Sequence, residues 1–354
     1  MPVVAAVVLA GVGPLATTLT ASAQGSLPPR TAAQLLVDVQ QARLTALSGT
    51  VVETSDLGLP SLPSIGGQGG SSASFSSLIS GSHTMRVWYA GPDQIRLALL
   101  GQLGESDLVR NGSDVWAWSS DTNTATHWSA PVADSSQQLG PGAADGPMTP
   151  QQAADAALRA IDPSTRVTTD PTAVVAGRSA YELDLAPRDS RSTVGSVRIA
   201  IDGSTHVPTR VQVYARGATS PAFEIGFTSF STATPPASTF AFTPPPGATV
   251  KQGSLSKPGD ATRLHARPSG ATPQVVGTGW TSVAVASVGS MTGGQTGQSG
   301  SLAGVLKSLP TVSGTWGSGH LLRGALFSAV LTDDGRIAVG AVPPSMLYDA
   351  LAHG

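Results

Sequence analysis

The chain of 354 residues contains no cysteine. Disulfides, thiolate catalysis, zinc-thiolate sites and a lipidated N-terminal cysteine are therefore all excluded, and packing and hydrogen bonding must hold the fold. Charge is scarce as well, with 12% charged residues and a formal net charge of -2. That balance supplies no basic patch, so nucleic acid is not expected as a partner. Only three lysines occur, Lys251, Lys257 and Lys307, a bias better read as genomic base composition than as function. The six histidines (His83, His127, His206, His265, His320, His353) are dispersed, with no H-E-x-x-H and no pair at helical or strand spacing, so no metal site is expected. No G-x-S-x-G elbow is present, and Gly317-Ser318-Gly319-His320 lacks the strand-to-helix setting that exposes a nucleophilic serine; it reads as a turn. Gly277-Thr278-Gly279 is not followed by the lysine and helix of a phosphate-binding loop. The expectation is a protein without catalytic residues, cofactor or metal.

What the chain does have is glycine, proline and short apolar runs: 41 Gly, 27 Pro and 40% hydrophobic residues. Its length permits one large domain with an extension, or two domains. Residues 1–23 form an apolar run ending in Ala21-Ser22-Ala23, which reads as an export signal cleaved after Ala23. Pro2 stands where a basic residue is usual, and an uncleaved membrane anchor is the alternative. Either places the body outside the cytoplasm, in the cell envelope or secreted. Thr31 with Gln34 forms a capping box, and Leu35, Leu36, Val39, Leu44 and Leu47 recur near helical spacing, which predicts a helix to Ser48. Thr149, Pro150 and Gln152 announce a second helix that Asp162-Pro163 ends.

Between and after these helices lie strands. Residues 84–91, 93–100, 105–112, 114–120 and 124–129 alternate and are separated by Gly, Pro, Asn and Asp, so consecutive hairpins are predicted. Five more follow at 166–170, 180–187, 194–202, 208–215 and 222–230. Trp116 and Trp118 are two apart, so both indoles occupy one face of their strand. Such aromatics belong either to an ordinary core under a helix or to the wall of an apolar cavity. Strand register, and with it the face that lines a cavity, is not fixed by one sequence.

The order of these elements, together with residues 108–128 and the segment 240–250, resembles the LolA-like family of extracytoplasmic lipoprotein and lipid carriers. The resemblance covers roughly residues 30–250. It rests on Trp88 and Pro92, on Asn111-Gly112 with Trp116, and on Phe240, Phe242, Pro244, Pro245, Gly247 and Val250. It implies a mainly β (α+β) fold: an incomplete antiparallel β-barrel of about ten or eleven strands with helices as a lid in the concave face, plus a small C-terminal extension. It further implies an apolar cavity for acyl chains, for which the candidate wall is Trp88, Ile95, Leu97, Trp116, Trp118, Trp128, Tyr181, Leu183 and Leu185. The candidate lid is Leu35, Val39, Leu62, Phe75, Leu78 and Ile79. The implied partners are a lipid or the acyl chains of a lipoprotein, with a membrane-bound donor or receptor protein, and a monomeric chain.

Three departures qualify the resemblance. Carriers of the family place a basic residue just before the turn proline, where it bonds to the lid; here that position is Gly91, which puts the energy-coupled release step in doubt. Residues 57–81 are an insertion rich in Gly and Ser yet carrying Leu57, Leu59, Leu62, Ile65, Phe75, Leu78 and Ile79, which suits a flap over the cavity mouth or a loop docked on the surface. After a linker at 251–272, residues 273–354 add strand-like runs, a hairpin signal at Asp334-Gly335 and a short terminal helix over 343–351. They either extend the main sheet or form a small packed subdomain. That extension keeps a second reading open, an envelope sensor related to the MucB/RseB regulators that holds an anti-sigma partner.

Overall fold

The computed structural model describes residues 27–59, 81–101, 104–129, 164–253, 273–287 and 309–353. The first helix, α1 (Ala32–Gln41), starts at the expected cap: the Gln34 N–H donates to the Thr31 hydroxyl, and the Gln34 side chain accepts from the Thr31 N–H. It stops earlier than the apolar spacing suggests. Leu44 lies beyond its end, and Leu47 instead opens strand β1 (Leu47–Ser55), where it pairs with Tyr89. Strand pairing has overridden the helical period there. The helix expected after Thr149 lies outside the described residues.

The five early hairpin strands form where the punctuation placed them: β2 (Gly81–Tyr89), β3 (Gln94–Leu100), β4 (Glu105–Asn111), β5 (Asp114–Ser119) and β6 (Thr124–Ser129). A second meander follows as β7 (Thr165–Val175), β8 (Arg178–Pro187), β9 (Val194–Asp202), β10 (Pro208–Ala215) and β11 (Phe223–Ser231). β7 runs past Asp170 and through Pro171, with a register slip between Asp170 and Ala173. A proline is tolerated at this place because β7 is an edge strand and the bulge relieves the missing donor. After a 3-10 turn (Ala237–Phe240), β12 (Thr249–Gln252) adds to β6 in parallel.

These strands make one open twelve-stranded sheet in the order β12-β6-β5-β4-β3-β2-β1-β11-β10-β9-β8-β7. The two meanders are joined through the antiparallel β1–β11 pair, so the most non-local pairing lies inside the sheet and not at its edge. β11 and β7 are separated by three strands yet touch, which shows that the sheet curls. It curls around α1. Leu35 and Val39 are buried in one cluster with Val51, Met85, Leu99, Tyr181, Leu183, Leu185, Ile199, Ile201, Val211, Ile225 and Phe227, drawn from the seven strands from β3 to β8 along the sheet.

Residues beyond 273 do not extend this sheet but build a second one, with strands β13 (Gln274–Val276), β14 (Val283–Ser287), β15 (Thr311–Gly314), β16 (Gly317–Arg323), β17 (Ser328–Thr332) and β18 (Arg336–Gly340) in the order β13-β14-β18-β17-β16-β15. Asp334-Gly335 turns the β17–β18 hairpin, and helix α2 (Pro344–His353) packs Leu347, Ala350 and Leu351 on Val283, Val285, Val330 and Ala338. Arg336 ties this unit together by donating to the carbonyls of Leu351 and Trp316. The second sheet meets the first through Trp280, Leu326 and Ala341, which pack on the first core.

Candidate functional site

Residues paired directly across antiparallel strands share a face, so the register assigns every wall candidate to one side of the sheet. The inner face, the one that carries α1, takes the ladder Val87–Leu97–Leu108–Ala117 and the ladder Tyr89–Ile95–Arg110–Val115–Trp128. On the other side of β1 it takes Tyr181–Ile201, Leu183–Ile199–Val211–Ile225 and Leu185–Val197. Ile95, Leu97, Trp128, Tyr181, Leu183 and Leu185 therefore face inward together. Tyr181, Leu183 and Leu185 are buried under α1, while Ile95, Leu97 and Trp128 are half-buried. Trp128 lies folded over the sheet edge: a Cβ added at Gly253 would come within 1.9 Å of its indole nitrogen, so only glycine fits beside it.

Trp88, Trp116 and Trp118 lie on the opposite face. Their ladders are Trp88–Arg96–Val109–Trp116–His127 and Ala98–Asp107–Trp118–Ala125. The segment 237–242 covers that face. Phe242 approaches Trp116 at 5.4 Å and Trp118 at 6.4 Å between ring centroids, Phe240 is fully buried, and Arg96 donates to the Thr239 carbonyl. Trp116 also stacks on His127 at 4.4 Å, and the His127 imidazole contacts Asp114 at 2.8 Å and Gln252 at 3.3 Å. Arg96 lies 5.5 Å over Trp88 and makes a two-point pair with Asp107 at 3.0 and 3.3 Å. The shared face of Trp116 and Trp118 was legible from their spacing. Its being the face away from α1 was not.

Of the lid candidates, Leu35 and Val39 are the two buried α1 side chains seated in the inner face, at 0% and 4% exposure, with Ala32 and Leu36 of the same helix packed partly buried on the cluster. Leu62, Phe75, Leu78 and Ile79 lie outside the described residues. The chain entering α1 is strapped to the far edge of the sheet: Leu27 N–H donates to the Pro171 carbonyl, the Tyr181 hydroxyl to the Pro28 carbonyl, and the Thr169 hydroxyl to the Arg30 carbonyl. Val51, Met85, Ile199, Ile201, Val211, Ile225 and Phe227 complete the inner face without having been singled out as wall candidates in the sequence. Their signal was ordinary strand alternation, which says buried but not against what.

A buried acid–histidine pair interrupts this apolar face. Glu53 and His83 are paired across β1 and β2, the His83 Nδ1 to Glu53 Oε2 distance is 3.0 Å, and both side chains are buried. The second carboxylate oxygen of Glu53 has no hydrogen-bond partner. Burial pushes the Glu53 carboxyl above its ordinary range, and the His83 hydrogen bond and charge counter that only in part. Away from this face, Asp202 accepts from Arg178 at 2.6 and 2.9 Å and from the Thr205 N–H at 2.8 Å. Burial alone would raise that carboxyl, but these bonds outweigh it and hold it below the usual range.

At the turn before β3, Gly91 has φ of 97°, a conformation that side-chain-bearing residues rarely adopt. The basic residue of the carriers is therefore absent from a position whose backbone here favours glycine. Among the described residues no group of three His, Asp or Glu is placed to hold a metal, and no helix is long and apolar enough to cross a membrane.

The open sheet curled around a helix has the incomplete-barrel architecture that the sequence resemblance implies, with twelve strands where about ten or eleven are expected. No family model and no curated protein matches the chain. Solved structures similar to it include the MucA/MucB complex of Pseudomonas aeruginosa, at 18% identity over 90% of this chain and 96% of that chain, with a TM-score of 0.41. A conserved protein of Thermus thermophilus is similar at 13% identity over 63% of this chain and 99% of that one, with a TM-score of 0.34. A LolA superfamily protein of Nitrosomonas europaea is similar at 12% identity, over 60% and 99%, with a TM-score of 0.23. Each likeness is one of fold.

Proposed function

We propose that this chain is an extracytoplasmic, non-catalytic binding protein that takes up the acyl chains of a lipid or lipoprotein on the inner face of its half-barrel, in the place where α1 is seated. The observation that carries this reading is the nature of the cover. An apolar face built from seven strands is covered by a ten-residue helix that inserts Leu35 and Val39, and a helix of that length is not stable in water without its seat. Alkyl chain laid on the same face gains about 0.8 kcal/mol per buried CH2, so a few methylenes match what the two side chains contribute. The helix then acts as the occupant that competes with ligand, which is what release requires.

The test is to express the full chain in a bacterial host, purify it under native conditions and identify the organic extract by mass spectrometry. A stoichiometric acyl lipid is the expected result. A folded protein that carries no lipid and takes none from phospholipid vesicles would overturn the reading. The second reading, an envelope sensor that holds a protein partner in the manner of MucB/RseB regulators, is favoured by the second sheet, which has its own core and its own helix. A ligand-free protein that retains a membrane-bound partner on purification would favour it over the carrier.

A further inference from the structure

We propose that the second sheet is the end-stop of the inner trough and sets the length of the acyl chain that the trough accepts. This rests on the acyl-binding reading above. The strand registers place Thr165, Val194, Phe223 and Ser55 at one common end of the first sheet. At that end the second sheet delivers three of its turns: the 3-10 turn Gly279–Thr281 carrying Trp280, the β16–β17 turn carrying Leu326, and Ala341 following β18. All three side chains pack on the apolar cluster that lines the inner face.

The junction is fixed by hydrogen bonds, so the stop is rigid. The Trp280 indole N–H donates to the Thr165 hydroxyl at 2.7 Å, the Thr193 N–H to the Ala341 carbonyl at 2.9 Å, the Thr193 hydroxyl to the Leu326 carbonyl at 2.6 Å, and the Ala325 N–H to the Leu57 carbonyl at 2.7 Å. The opposite end is where the chain enters α1, bound to the edge strand through Leu27. An alkyl chain on the inner face therefore ends against an apolar surface whose depth is set by a few side chains, as ligand length is set in any closed apolar pocket. Leu326 is the adjustable one. Its carbonyl accepts the Thr193 bond while its side chain packs on the cluster, so replacing the side chain leaves that bond in place.

The experiment loads the full chain from vesicles containing an equimolar series of saturated diacylphosphatidylglycerols, C12 to C20, and reads the bound species by native mass spectrometry. Leu326→Ala deepens the trough and shifts the bound distribution to longer chains, whereas Leu326→Phe shortens it and shifts the distribution to shorter ones. Each methylene gained or lost changes relative occupancy by about fourfold. The two variants are expected to move the distribution in opposite directions, which loss of folding in either cannot imitate. Bound lipid with one distribution in the wild type and both variants overturns the end-stop and leaves the acyl-binding reading standing. No bound lipid in the wild type overturns both.

Discussion

Leu35→Ala separates a helix that competes with ligand from a helix that is simply part of the core. Leu35 is 0% exposed and meets the inner face of the first sheet from α1. Truncating such a leucine removes its transfer free energy and leaves a cavity, at a cost of about 3 kcal/mol. Alanine is a better helix former than leucine, so the helix is not weakened in itself, only its seat. If α1 is the occupant displaced by an acyl chain, that loss multiplies the unseated fraction by about 100, until the helix is free most of the time. Apparent affinity for an acyl ligand rises by the same factor up to that ceiling. Titration of a fluorescent fatty acid into wild type and Leu35→Ala measures it, and hydrogen exchange of the α1 amides reports unseating independently. The variant is expected to bind at least about tenfold more tightly. Faster exchange in α1 with unchanged or weaker binding would refute the reasoning, because the helix would then have left without vacating a ligand site.

On the outer face, Trp116→Ala is expected to lower stability by about 3 kcal/mol in urea denaturation, since the indole is held between His127 and Phe242. Acyl binding should be unchanged; loss of binding at intact stability would place the site on the wrong face. Asp202→Asn breaks the buried pair with Arg178 and is expected to cost about 3 kcal/mol at neutral pH. Because the folded carboxyl lies below its ordinary value, its contribution is present above about pH 4 and is lost as pH falls through the folded value. The stabilities of wild type and variant should thus converge in acid, and parallel pH curves would contradict the assignment. Glu53 is the reverse case. Its folded carboxyl is raised, so its contribution is full below the ordinary glutamate value and declines as pH rises through the raised one. Glu53→Gln does not titrate, and its stability relative to wild type should climb as pH rises from about 4 through the raised folded value; a difference independent of pH would show that the carboxyl ionises alike in the folded and unfolded chain, with no shift.

The strands were legible because their punctuation is strong. Asn111-Gly112 and Asp334-Gly335 turn hairpins as their residue types require, and the Thr31/Gln34 box starts α1. What the sequence did not contain was register. Trp88 and Ile95 were both candidate wall residues, yet Trp88 pairs with Arg96 and Ile95 with Tyr89, which puts them on opposite faces. Both faces of this half of the sheet are covered, one by the α1 side and one by the segment 237–242, so apolar residues alternate with apolar residues and alternation loses its power to say which way is in. The end of α1 was missed for a related reason. Leu44 and Leu47 fit the helical period, but Leu47 gains more from its pairing across β1 and β2.

Two covers held in two different ways explain how such a sheet can lose one of them. The outer cover is locked: Phe240 is fully buried, Ala98, Val109 and Ala125 are closed off from solvent, and Arg96 joins the Asp107 carboxylate to the Thr239 carbonyl. β12 then pairs along β6 and is pinned where the Asn123 amide donates to the Gly247 carbonyl at 2.9 Å. None of these contacts involves α1. The inner cover hangs on Leu35 and Val39, with Ala32 and Leu36 beside them, and on a strap of hydrogen bonds that lies before the helix, at Leu27, Pro28 and Arg30. Unseating α1 therefore leaves the strap, the β1–β11 pairing and the whole outer face in place. On the acyl-binding reading the helix leaves its seat while tethered next to it, and a tethered competitor would return to the face at high effective concentration once ligand departs.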